Sequence, residues 1–138
     1  MALKTDPVNW HMGGPLPLHY AYIPTKRAWD KAVKYFLGED ERPPFPTSLG
    51  NCTSFHTPEY GTVCLVTFGK EVKEYEPLNV MGVVTHEVTH VLQALWEDMG
   101  EESPGMEVQA YLQQFITIQL FQDYLDYNKK ELSWTRKK

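Results

Sequence analysis

With 138 residues, 42% of them apolar and 13% aromatic, the chain is long enough to bury a core of its own and too hydrophobic to be disordered throughout. Its net charge of −5, with no basic stripe, argues against nucleic acid as a partner, and the basic tail Thr135-Arg136-Lys137-Lys138 reads as a solvated end. No apolar run reaches the length of a membrane span, and the N-terminal stretch with Pro7, Gly13, Gly14, Pro15 and Pro17 lacks the apolar block of a secretory signal; no membrane is expected as a partner, and the expected compartment is the cytoplasm.

One domain is expected over residues 1–138. Residues 1–17 read as an irregular arm, followed by a strand over Leu18–Ile23 rich in aromatic and branched side chains. Pro24 and Thr25 open a helix over Lys26–Leu37, whose Trp29, Ala32, Val33, Phe36 and Leu37 recur at helical spacing until Gly38 stops it. A polar, proline-rich connection spans residues 39–50. Strands over Asn51–Thr57 and Thr62–Phe68 then flank Pro58-Glu59-Tyr60-Gly61, a hairpin signal. The second of these is apolar on both faces, which predicts a central or helix-covered strand. Pro77 suits the first turn of a helix running to about Asp98, and Ser103-Pro104 signals another that runs to about Asn128. Residues 131–138 read as a flexible tail. The sum is an α+β domain: a small three-stranded sheet, mixed or antiparallel, packed on the 77–98 helix, with an N-terminal helix and a long C-terminal one.

Cys52 and Cys64 would face each other if the hairpin turned about Pro58, the geometry of a cross-strand disulfide. In a reducing compartment two small buried thiols are the favoured reading, and neither cysteine belongs to a CxxC zinc motif.

The chemistry concentrates in His86-Glu87-Val88-Thr89-His90. Positions i and i+4 lie one turn apart on one helix face, so both imidazoles can reach one cation, and Glu87 can act on a water beside it. Val80, Val84, Val88, Val91 and Leu95 form an apolar stripe on roughly the opposite face, which pins the helix into a core and turns the histidines to a cleft. The plain alternative is a helix with two surface histidines and an unrelated glutamate. A catalytic zinc site needs a third protein ligand. His11, His19, His56, Glu97, Asp98, Glu101, Glu102 and Glu107 are available. Glu97 and Asp98 stand roughly 10–12 Å along the axis from His90. Glu107, early in the returning helix, is the preferred ligand, with Glu101 or Glu102 as alternatives; a helix-start carboxylate is otherwise a common solvated feature.

His-Glu-Val-Thr-His-Val-Leu-Gln followed by Gly-Met-Glu-Val-Gln-Ala-Tyr resembles the zincin metallopeptidases, and within them the gluzincin branch, in particular small metallopeptidase-like proteins encoded by bacteriophages and prophages. The resemblance is close over residues 83–115. It implies a minimal zincin-like fold, zinc held by His86, His90 and Glu107, and Glu87 as the base that takes a proton from the attacking water. Tyr111, one turn beyond Glu107, is a candidate catalytic donor to the oxyanion, with simple packing as its alternative, and His56 is a weaker candidate for the same role. A peptide or protein substrate is expected, adding as a strand to an exposed sheet edge formed by residues 51–57 or 62–68. Zinc is the expected metal, although manganese, iron, cobalt or nickel would accept the same ligands. Two alternatives stand beside the peptidase: an assembly or host-interaction protein with a structural or vestigial metal site, and a hydrolase of non-peptide amides. Trp10, Tyr124, Tyr127 and Trp134 are candidates for a docking patch. Tyr111–Leu125 is apolar around most of its circumference, which suits either a homodimer or, preferentially, packing on the domain's own sheet.

Overall fold

The computed structural model describes residues 7–39 and 42–130. In chain order the elements are β1 (His11–Met12), β2 (Leu18–Tyr22), α1 (Lys26–Leu37), β3 (Gly50–Thr57), β4 (Gly61–Phe68), a 3-10 turn (Lys70–Glu74), α2 (Pro77–Met99) and α3 (Met106–Tyr127). The strands form one mixed sheet in the order β1-β2-β4-β3; β2 and β4 run parallel, and the outer pairs are antiparallel.

The doubly apolar pattern of β4 has a direct cause. One face, with Val63 and Leu65, joins Ala21 and Ile23 of the β2 segment against Ala28, Trp29, Ala32 and Val33 of α1. The other face, with Cys64 and Val66, meets α2 and α3. The domain is therefore three layers, α1 on one side of the sheet and the α2–α3 pair on the other. Local signals set the helix ends. The Thr25 hydroxyl accepts from the Ala28 N–H at 3.1 Å to cap α1, and Gly100, left-handed at φ 68°, closes α2 with Glu101 N–H donating to the Trp96 carbonyl at 2.9 Å.

Several expectations are corrected. The sheet has four strands rather than three, because residues 11–12 of the supposed irregular arm pair with β2 (His11 with Tyr20, Met12 with His19). Tertiary contacts hold this short strand: His11 Nε2 lies 2.6 Å from an oxygen of Asp123 on α3, and its ring stacks on Tyr20. Helix α3 begins at Met106 rather than at Ser103-Pro104, with Gly105 as its cap residue. The β3–β4 register pairs Thr57 with Gly61 and so turns about Glu59, not Pro58. Cys52 consequently faces Val66 and Cys64 faces Ser54; both thiols are free, Cys64 buried and Cys52 half-buried. The neighbouring Cys52 thiol above all, and burial with it, push the Cys64 thiol pKa up. The proposed aromatic patch is not a surface unit, since Tyr124 is in the core; Trp134 and the rest of the 131–138 tail lie outside the described residues. Among the described residues no helix is long and apolar enough to cross a membrane.

Candidate metal centre

Val80, Val84, Val88, Val91 and Leu95 are all buried, as their spacing requires, and they fix the rotation of α2. His86 and His90 are thereby left exposed on the other side, with ring centroids 5.0 Å apart, while Glu87 is only 3% exposed. One potential ligand atom from each of the three lies within 4.8 Å of the others. Among the described residues this is the one group of three or more His, Cys, Asp or Glu side chains so arranged.

The three side chains line a polar cleft of about 420 Å³. One wall is α2, extended by Gln93, Ala94 and Glu97. The facing wall is β3, through Gly50, Asn51, Cys52 and Ser54. Because β3 is an outer strand, the cleft runs beside a sheet edge. This resolves which strand is outermost: residues 51–57 are at the edge, and 62–68 lie between β2 and β3.

Two details tune the centre. Burial pushes the Glu87 carboxyl above its usual range, and the neighbouring His86 and His90 draw it partly back. His90 Nδ1 lies 2.8 Å from Gln93 Oε1; donation from Nδ1–H to that oxygen leaves Nε2 with the free lone pair a metal requires. Gln93 was not among the expected site residues. Its signal was its position, three residues after His90 on the same face.

The remaining expected residues are dispersed. Glu107 is exposed in the first turn of α3 and is not in the 4.8 Å group. Tyr111 is 68% exposed and lines a recess on the outer side of α3 with Phe115 and Ile118, not the cleft. His56 lies 3.6 Å from Asp98, His11 is engaged by Asp123, and His19 Nδ1 is 2.8 Å from the Tyr60 carbonyl. Glu101 accepts from the Ser103 N–H, and Glu102 is exposed. Glu97, set aside for its distance along the helix, does line the cleft, seven residues beyond His90 on the same face of α2.

Comparisons of the chain with protein-family models, with curated proteins and with solved structures gave no match.

Proposed function

We propose that the protein is a zinc-dependent hydrolase, a small zincin-like metallopeptidase of the gluzincin type, acting on a peptide or protein. The observation that carries this reading is the gathering of His86, Glu87 and His90 within 4.8 Å at one wall of a polar cleft whose other wall is an edge strand. The donor chemistry fits zinc. Two imidazoles a helical turn apart, one of them with Nδ1 2.8 Å from Gln93 Oε1 and so able to offer Nε2, are borderline-soft ligands of the kind zinc prefers. Glu107, from the motif on α3, is the proposed third ligand. When bound, zinc polarises a carbonyl and brings the pKa of water toward neutrality.

The chain's own residues supply the rest. Glu87, with its carboxyl raised by burial, is suited to accept a proton from the attacking water and to deliver it to the departing amine. The outer edge of β3 offers backbone N–H and C=O groups to an extended substrate lying along the cleft. Tyr111, on the outer face of α3, takes no part in this account. The test is Glu87→Gln: unchanged zinc content with loss of peptide hydrolysis supports the assignment, whereas hydrolysis at the wild-type rate removes Glu87 as the base.

One observation favours a second reading. Among the described residues no donor beyond Glu87 joins the two histidines, which suits a structural or vestigial metal site in an assembly or host-interaction protein, such as one encoded by a bacteriophage. That reading predicts no hydrolysis by wild type and a partner complex that tolerates Glu87→Gln.

A further inference from the structure

Helix α3 is apolar on two sides. Its inner side, through Ile116, Leu120, Phe121 and Tyr124, joins the core. Its outer side leaves Val108, Tyr111, Phe115 and Ile118 exposed by 51%, 68%, 56% and 59%. Their spacing of three, four and three residues is the seam of a helix that packs against another helix. A helix that is apolar around its whole circumference is normally covered around its whole circumference.

We propose that this outer face of α3 is a homodimer interface, formed by two copies of α3 packing antiparallel about Phe115. Three features of the same face specify the occupant. The first is a recess of about 280 Å³, almost wholly apolar, whose lining includes Tyr111, Gln114, Phe115 and Ile118. These four stand at i, i+3, i+4 and i+7, the four-residue hole that receives a knob from a facing helix. An apolar cavity of about 150 Å³ already accommodates a benzene ring, so the recess is large enough for an aromatic or branched knob.

The second is symmetry. Residues 108–122 contain no Asp, Glu, Lys, Arg or His, and the midpoint of that run is Phe115. A twofold axis there sets uncharged face against uncharged face along the whole run and brings Tyr111 of each copy to Ile118 of the other. Knob and hole are then supplied by the same surface, as an isologous contact requires. With no charge to meet, the net charge of −5 on each copy stays outside the contact.

The third is area. Aromatic side chains present about 150–250 Å² each, so Tyr111 and Phe115, exposed by 68% and 56%, supply about 250 Å², and Val108 and Ile118 bring the stripe to roughly 400 Å². A standard interface buries about 800 Å² per partner, and exposed Met106 and Gln122 flank the stripe to supply an uncharged rim. A patch of this size matches the largest one a typical monomer exposes, which is often a functional surface.

The proposal does not depend on the hydrolase reading, and its test measures no activity. Sedimentation equilibrium is run on wild type, Phe115→Glu and Ile118→Glu, with circular dichroism to check folding. The expected result is a concentration-dependent dimer for wild type and half that mass for both variants at unchanged helix content. A wild type that stays monomeric into the high micromolar range overturns the proposal and leaves the face to a different protein; a dimer that survives both substitutions places the contact elsewhere and overturns it too. Should the charged variants misfold, Phe115→Cys decides: a short bis-maleimide, which adds one thiol at each end, captures it as a covalent dimer beyond the wild-type background if Phe115 sits on the twofold axis, and failure to do so contradicts the proposal.

Discussion

A Cβ on Gly50 would lie 2.9 Å from Oε2 of Glu87 and 3.0 Å from a methyl of Val83. The first residue of the edge strand is therefore a glycine because the proposed base occupies the space a side chain would fill. Backbone conformation does not demand glycine here; proximity does.

Gly50→Ala is expected to push the Glu87 carboxyl aside into the cleft and to destabilise the fold by about 1 kcal/mol, the low end of the range for overpacking. The cause is separable by a double-mutant cycle. Adding Glu87→Ala empties the space on one side, so Gly50→Ala costs less in that background than in wild type. Urea unfolding of the four proteins measures the coupling, and strictly additive costs would show that Glu87 is not what the new methyl meets.

Gln93→Ala removes the acceptor that holds the His90 ring. Zinc affinity is expected to fall roughly 10–100-fold, as for other partners of metal-bound histidines, with the fold intact. Gln93→Glu, which keeps an acceptor, should retain most of the affinity. Competition with a chromophoric chelator reads both; equal affinity for wild type and Gln93→Ala would show that the bond is incidental.

The buried hydroxyl of Thr62 on β4 donates to Oδ2 of Asp98 at 2.6 Å, tying the end of α2 to the middle of the sheet. Asp98→Ala leaves that hydroxyl unpaired and is expected to cost about 1–3 kcal/mol. Thr62→Val with Asp98→Ala should cost less than the sum of the single substitutions. Denaturant midpoints test this, and an Asp98→Ala protein as stable as wild type would exclude a structural role for the pair.

Much of the fold was legible because its strongest signals are local. The valine stripe of α2 and the two-faced apolar run of β4 each report burial through spacing alone, and both lie buried as that spacing predicts. Strand β1 was not legible: two residues carry no period, and they are held by Asp123, more than a hundred positions away in the chain. Where the hairpin centres decides every cross-strand partner: a turn about Pro58 would set Cys52 opposite Cys64, and the register about Glu59 sets it opposite Val66. At the site, the juxtaposition of His86, Glu87 and His90 is a property of one helix and could be read directly. The places of Glu107 and Tyr111 depend on the angle and rotation of α3 against α2. A helix with apolar residues on both sides gives no periodic signal to set that rotation.

Two core tyrosines provide a pH test of the packing. Burial, with the Asp123 carboxylate adding to it, pushes Tyr20 up to about 12; burial does the same for Tyr22, against an opposing hydrogen bond from Asn128. A phenol that ionises near 10 when unfolded and near 12 when folded contributes stability that is complete below pH 10 and lost as pH rises from 10 to 12. An alkaline titration of tyrosinate absorbance should show late ionisation that is reduced in Tyr20→Phe and in Tyr22→Phe. Uniform ionisation near pH 10 in the folded protein would contradict this packing.

The most direct test of the central claim is zinc content by mass spectrometry on wild type, His86→Ala and Glu107→Ala, with peptide hydrolysis followed in parallel for wild type and Glu87→Gln. The account predicts about one zinc per chain in wild type, its loss in His86→Ala and weakened retention in Glu107→Ala. It also predicts hydrolysis by wild type that Glu87→Gln abolishes without loss of metal. A wild-type protein that takes up no zinc when it is supplied would contradict the proposed metal centre and the hydrolase with it.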